Sequence, residues 1–374
     1  MKIVQIDLTN RQQVQQFLAL PFRIYHNIPQ WVPPLATDAR HVLDRQRNPF
    51  YKHSEAVFLL AYQPDSDLPV GRLAVLDNRN YNAYNHENTA FFFLFESENN
   101  PLIAKAMFNA GYEWAMQRGL NMIKGPKGFT ALDGFGMLVT GFEHRPALGI
   151  PYNPPYYPEL LEAAGFFTES DSVSGYLNRD MVFPEKIHRA AELIKKRRGL
   201  RVARFEKRSQ LRRLVPFLST LYNDSLNGTT GNTPLTDEEA NTMAQQILWF
   251  ADPRLIKIIY KEDSPVCFLL AYPDISAAIQ RCAGRLFPLG FIDILRELRK
   301  TQWININGAG MVEQYRGLGG TALLFSEMYK SVQESHYFHA DLVQIGLEND
   351  RMQRELRDLG IEFYKTHRVY QRAL

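Results

Sequence analysis

The chain has 374 residues, 45% of them apolar and 22% charged, with a formal net charge of +3. At roughly 100–200 residues per domain this length predicts two domains, and the composition excludes a disordered chain, a collagen-like repeat and a coiled-coil rod. The densest apolar run, at 91–95, is far short of the roughly 18 residues that a membrane-spanning helix requires. The start of the chain alternates apolar and polar residues with no signal-peptide core. Cys267 and Cys282 make neither a disulfide framework nor a metal quartet, and a cytoplasmic protein without a bound metal is expected. Residues 1–180 carry 15 Lys and Arg against 18 Asp and Glu, and the remainder 28 against 22. An anionic ligand would favour the second half, while the near-balanced total speaks against a nucleic-acid partner.

In chain order, a strand is expected at 2–7, an amphipathic segment at 11–20 and a proline-punctuated stretch at 21–34. Strand-like runs follow at 56–62, 70–77 and 89–96, the first two spaced as a hairpin. Asn100 and Pro101 supply an N-cap and a first-turn proline for a helix reaching about 118, and 120–124 reads as a short strand. A Gly/Pro-rich loop covers 125–155 and a helix 158–164. The second half repeats this order. A basic linker helix spans 184–198, with a strand at 201–206, helical stretches to 221 and over 236–250, and strands at 255–260 and 266–272. After an insertion at 274–300 come a strand at 303–311, a Gly-rich turn, a helix to 333, a strand at 340–346, a helix at 350–359 and an end strand at 363–368. The expectation is two copies of one mixed α/β unit.

The segment with the clearest chemistry is 311–325, Met-Val-Glu-Gln-Tyr-Arg-Gly-Leu-Gly-Gly-Thr-Ala-Leu-Leu-Phe. A strand runs into Gln314, Arg316, Gly317, Gly319 and Gly320, and an apolar-faced helix starts there. Glycines admit close backbone approach, the first helical N–H groups are unpaired, and Arg316 adds a fixed charge, which suits a pyrophosphate.

Gln-x-x-Gly-x-Gly between strand and helix resembles the pyrophosphate loop of the GNAT superfamily of acyl-CoA N-acyltransferases. The segment 344–361, in which Asn349 opens a helix ending in Leu-Gly-Ile, resembles that superfamily's later motif. Residues 157–166 resemble the same ending in the first half. The resemblance implies two tandem domains, each a mixed, mostly antiparallel sheet flanked by helices: a degenerate copy at 1–180, a linker at 181–200 and an acyl-CoA-binding copy at 201–374. It implies acyl transfer, chiefly acetyl, from CoA to a primary amine of a small molecule or peptide, with a lipid amine also open, and Val312, Gln314, Arg316, Gly317, Leu318, Gly319, Gly320 and Asn349 on the CoA. Backbone N–H groups near a bulge at 307–310 would polarise the thioester. The superfamily's proton-donating Tyr, four residues before that Gly, is replaced by Leu356, and by Leu161 in the first half. For the base the candidates are Glu348, next to Asn349, and Tyr222, with Asp224 and Asn305 as further ones. The alternative is a non-catalytic tandem module that binds CoA or another ligand; aminoacyl transfer from tRNA is a third reading, disfavoured by the balanced charge.

Where the first half would need its phosphate loop it has Glu96-Ser-Glu-Asn-Asn-Pro101, so no second CoA site is expected there. The aromatic- and Gly-rich loop at 125–155 offers Asp133, Glu143, His144, Arg145 and, just beyond it, Tyr156 for a polar acceptor, or else plugs the first domain's CoA cleft or forms the interdomain contact. Helical apolar spacing at 286–300, flanked by Arg296, Arg299 and Lys300, reads as a packed helix before it reads as a lid or a peripheral membrane contact. The basic run 195–198 reads as a solvated face or a phosphate contact.

Overall fold

The computed structural model describes every residue except Ala131, Thr229, Thr230, Gly317, Leu318 and Asn349, and Arg351 by its backbone alone. In chain order the strands are β1 (Lys2–Gln5), β2 (Glu55–Tyr62), β3 (Pro69–Asp77), β4 (Thr89–Ser97), β5 (Met122–Gly125), β6 (Met137–Thr140) and β7 (Phe167–Asn178), then β8 (Leu200–Val202), β9 (Lys257–Lys261), β10 (Ser264–Pro273), β11 (Trp303–Met311), β12 (His339–Gly346) and β13 (Glu362–Ala373). The chain forms two compact units. Unit 1 comprises Met1–Val173, Ser276–Asp293 and Lys365–Leu374; unit 2 comprises Ser174–Ile275 and Ile294–Tyr364. The division is therefore interleaved along the sequence, where the reading of the chain gave contiguous halves. The helix at Glu185–Arg198, read as a linker, belongs to unit 2 and buries Ala191 there.

In unit 1, β1–β2, β2–β3 and β3–β4 pair antiparallel and β4–β5 parallel. Asn100 Oδ1 accepts from the Leu102 N–H at 3.0 Å and Pro101 follows it, which starts the helix Pro101–Met116 where the sequence signals place it. That helix presents Ile103, Met107, Phe108 and Tyr112 to Leu73, Val75, Phe92 and Phe95 of the sheet. Phe17, Phe50 and Phe58 fill the opposite face. Part of the insertion is tied down here, since Gln280 Nε2 donates to the carbonyls of Pro29 and Trp31, both at 2.8 Å.

The last residues of the chain close this unit. Tyr370–Ala373 pair antiparallel with Met122–Gly125, and His367 is buried with its Nε2 against the Pro151 carbonyl at 3.0 Å. Its Nδ1 is buried with no partner among the described residues, and burial pushes its pKa down to about 4. An unfolded histidine titrates near 6.5, so between these values the unfolded chain binds a proton that the folded chain refuses. Stability is therefore expected to fall as pH drops through that window, by about 2 kcal/mol between pH 7 and pH 5. Urea unfolding at the two pH values checks this, and His367→Gln should flatten the difference.

Unit 2 repeats the pattern. β8–β9, β9–β10 and β10–β11 pair antiparallel and β11–β12 parallel. Thr236 and Glu239 form a reciprocal capping box that starts the helix Asp237–Leu248. The helix Gly320–Gln333 packs Leu323, Leu324 and Met328 on Ile259, Leu269, Ile304 and Ile306, and Cys267 is one more core residue in this cluster. The two units thus share the order of three antiparallel pairings and one parallel pairing, followed by a helix-connected strand.

The shared pattern extends to a defect. Opposite Arg72–Ala74, β4 spends one extra residue between Phe93 and Glu96, and Leu94 takes a φ of 52°. Opposite Leu269–Ala271, β11 spends one extra residue between Ile306 and Ala309, and Gly308 takes a φ of 108°. Both are β-bulges in the strand that precedes the parallel neighbour. The bulge expected from Gly308 and Gly310 is present, and its counterpart at Leu94 carries no glycine.

Candidate functional site

The bulge in β11 sets the geometry of unit 2. β11 and β12 pair in register from Trp303–His339 to Ile306–Leu342; beyond this, among the described residues, β11 continues against β10 alone as far as Met311–Cys267. Two parallel strands that part leave backbone donors and acceptors on facing edges, able to hold an extended ligand that bears amides. A side chain at Gly308 would meet open space, so its backbone conformation is what selects glycine there. Gly310 is selected by contact: a Cβ would lie 2.5 Å from the Phe268 ring and 2.8 Å from Ser225 Cβ.

β11 leads through a short 3-10 turn, Glu313–Tyr315, to Gly319, whose φ of 83° places it as N-cap of the helix Gly320–Gln333. The first N–H groups of that helix have no partner within it, and the positive end of its dipole lies there. A Cβ on Gly319 would lie 2.1 Å from Ile194 Cδ1 of the helix Glu185–Arg198. The basic run 195–198 therefore stands within about one helical turn of the glycine turn. Arg316 is exposed yet engaged with the backbone, donating from Nε to the Met311 carbonyl at 3.1 Å and from Nη2 to the carbonyls of Ser225 at 3.0 Å and Asn227 at 2.6 Å. It clamps the loop, with the charge close by. Val312 donates its N–H to the Val266 carbonyl and Gln314 is exposed. Gly317, Leu318 and Asn349, also expected on the ligand, lie outside the described residues.

Strand alternation sorts β11 into two faces. Ile304 and Ile306 enter the core, and Asn305 and Asn307 face the other way beside the bulge. Asn305 is fully buried and, among the described residues, neither atom of its amide has a partner; the Ser225 hydroxyl, packed beside Gly310, is likewise buried with no partner among them. In register with Asn305 stand Tyr272 on β10 and Asp341 on β12, both buried. Asn307 Nδ2 donates to Tyr272 Oη at 2.8 Å, and burial pushes the Tyr272 pKa up to about 12. Tyr364 donates to Asp341; burial and then that charge drive its pKa far above the ordinary value, so it stays protonated. Tyr222 lies on Phe268 with ring centroids 6.4 Å apart, and burial raises it to about 12.

Of the expected residues, Tyr222, Asn305, Arg316, Gly319 and Gly320 stand around this bulge and turn. Glu348 lies past the end of β12, where its carboxylate closes over Gly346, within 2.4 Å of where a Cβ would be. The acceptor candidates of unit 1 are engaged separately. Asp133 accepts from the N–H groups of Phe129 and Thr130, both at 2.8 Å, and burial raises its pKa. Tyr156 donates to the Ser97 carbonyl at 2.9 Å, and His144 lies 3.3 Å from Glu143. The Arg145 carbonyl accepts from Lys365. Ser225, Tyr272, Asp341 and Tyr364 were missed. The signal for Asp341 was available, as a carboxylate inside the apolar strand 340–346 must have a reason to be buried.

In unit 1 the equivalent position is filled. Past the Leu94 bulge, the buried Glu96 carboxylate faces Arg72 at 3.5 Å and accepts from Tyr157 Oη at 2.8 Å, while Arg72 donates to the Phe17 carbonyl. Among the described residues no group of three or more His, Cys, Asp or Glu could hold a metal ion, and no helix is long and apolar enough to cross a membrane.

No family model matches the chain. Protein YghO of Escherichia coli K12 is 25% identical over 373 residues, covering 98% of this chain and 94% of that one. A bacterial ceramide synthase of Caulobacter vibrioides is also 25% identical, over 379 residues, covering 99% and 97%. Among solved structures, a tandem GNAT protein from the clavulanic acid biosynthesis pathway superposes with a TM-score of 0.56 at 12% identity, covering 100% of this chain and 98% of that one.

Proposed function

We propose, for a chain that carries the fold of tandem GCN5-related N-acetyltransferases, an acyl-CoA-dependent N-acyltransferase with CoA on unit 2 and a long-chain lipid amine as acceptor. The observation that carries the CoA half is the parting of β11 from β12 at the Gly308 bulge, beside the glycine-capped helix Gly320–Gln333. The pyrophosphate would lie on that helix N-terminus and the turn before it, with the basic run 195–198 near, and the amide-bearing arm of CoA between the parted strands. For the acceptor, support comes from the full-length likeness to a protein named as a ceramide synthase. A ceramide is the amide of a long-chain amino alcohol, so its formation is the same bond-making step.

In that step the acceptor nitrogen attacks the thioester carbonyl, a C–N bond forms and the C–S bond breaks. The nitrogen gives up its proton, and the departing thiolate takes one. An alkylamine is protonated at neutral pH, so the site must remove a proton before attack. Asp341, held by Tyr364, is the carboxylate nearest in register to the unpartnered amide of Asn305, and this pair would orient and deprotonate the amine. Tyr222 is protonated at neutral pH and would serve as donor toward the thiolate. Unit 1, with Glu96 and Pro101 where a phosphate loop would be, would bind no CoA.

A thermal-shift titration with CoA and acyl-CoAs tests this reading. A ligand bound only by the folded state at a hundredfold excess over Kd adds about 2.7 kcal/mol, which raises Tm by several degrees. Stabilisation is expected with acyl-CoA. No shift with any CoA thioester would remove the reading, and a shift without amine-dependent release of CoA would favour the non-catalytic alternative.

A further inference from the structure

Large apolar side chains are exposed singly over much of the surface, as in most proteins. One stretch departs from this. Phe287 is 81% exposed and Leu289 69%, and on the helix Gly290–Lys300 that follows, Phe291, Ile292 and Leu295 are 43, 45 and 41% exposed. Ile292 and Leu295 are three apart and Phe291 and Leu295 four apart, so the three share one face of the helix. The inward face is held by Ile294, which is fully buried, and by Gly290, where a Cβ would lie 1.9 Å from the Arg285 carbonyl oxygen. The helix is therefore seated on the protein by one side while its longer apolar side chains point away from it.

The charges around this face are sorted by sign. Arg285, Arg296, Arg299 and Lys300 are exposed, whereas Asp293 and Glu297 are half-buried. Asp293 is further neutralised by Arg281, which donates from Nε at 2.9 Å and from Nη2 at 3.1 Å. An outward face made only of large apolar and basic side chains is the composition that partitions into the headgroup region of an anionic bilayer. We infer that residues 285–300 dock this protein on an anionic membrane surface, with Phe287, Leu289, Phe291, Ile292 and Leu295 entering the lipid and the four basic residues meeting its headgroups. A second copy of the chain is a poorer occupant, because two such faces would bring like charges together. The inference does not rest on acyl transfer; it adds a place where a lipid amine would be met.

The test is co-sedimentation of the full chain, without CoA or amine, with vesicles of equal parts phosphatidylglycerol and phosphatidylcholine, and with vesicles of phosphatidylcholine alone. The protein is expected to pellet with the anionic vesicles and to be released by high salt. The Phe287→Ser/Ile292→Ser/Leu295→Ser variant and the Arg296→Glu/Arg299→Glu variant should each lose about tenfold or more in partitioning. All five positions are exposed, so both variants should keep the wild-type Tm, which separates lost binding from lost folding. Wild-type protein left in the supernatant, or variants that pellet as it does, would overturn the inference. So would a wild-type dimer that the apolar variant dissociates, since a second copy would then cover this face.

Discussion

Glu96→Ala is expected to cost the fold about 3–5 kcal/mol, the largest single loss anticipated in unit 1. The glutamate is buried against Arg72, which also donates to the Phe17 carbonyl and lies over the Phe17 ring, 5.0 Å from the guanidinium carbon. Removing the carboxylate leaves a buried guanidinium with no counter-charge, and Tyr157 Oη with no acceptor for its proton. The pair is not stabilising in its own right, because burial opposes both charges: it raises the Glu96 pKa and lowers that of Arg72. An Arg72→Met/Glu96→Leu double variant should accordingly recover most of the loss. Urea unfolding of the three proteins reads this directly. A single variant within about 1 kcal/mol of wild type would mean that the pair is screened as a surface pair would be.

Asn305→Leu is expected to act in opposite senses on stability and on activity. The amide is fully buried with no hydrogen-bond partner among the described residues, and leucine has nearly its shape without the desolvated polar atoms. The substitution should therefore stabilise the protein by about 1–2 kcal/mol. If the amide is held for a ligand beside the bulge, turnover should fall by about a hundredfold or more, as when a positioned polar group is removed from known acyl-transfer sites. A stabilised variant with unchanged kcat and KM would show that Asn305 serves no substrate. A destabilised variant would show that the amide is satisfied in the native protein.

Much of this arrangement was legible in the sequence, for identifiable reasons. Strand β11 falls at Trp303–Met311 as expected, because its apolar alternation ends in glycines that also mark the bulge. The helix starts at Asn100-Pro101 and Thr236 were legible because capping is a local event read from adjacent residues. The matching bulge at Leu94 was hidden, since it sits in a run of phenylalanines and carries no glycine to announce its positive φ. β7 was also hidden: Phe167–Asn178 is rich in Ser, Thr, Asp and Glu, and partners distant in sequence stabilise it, such as the two-point ion pair of Asp171 with Arg368. The same non-local pairing carries β13 on to Ala373 and places the chain end in unit 1. Within the site, the glycine turn was legible because close approach to a ligand restricts residue type, whereas Tyr272 and Asp341 are ordinary strand residues until register sets them beside Asn305.

Acyl transfer to a lipid amine is tested by thiol release from acyl-CoA, followed as amine is added in mixed micelles. Release is expected to depend on the amine, with one amide formed for each thiol freed, and to be lost in Asn305→Leu. Folded protein that frees no thiol with acyl-CoAs of short or long chain, whatever long-chain amine is offered, would contradict it.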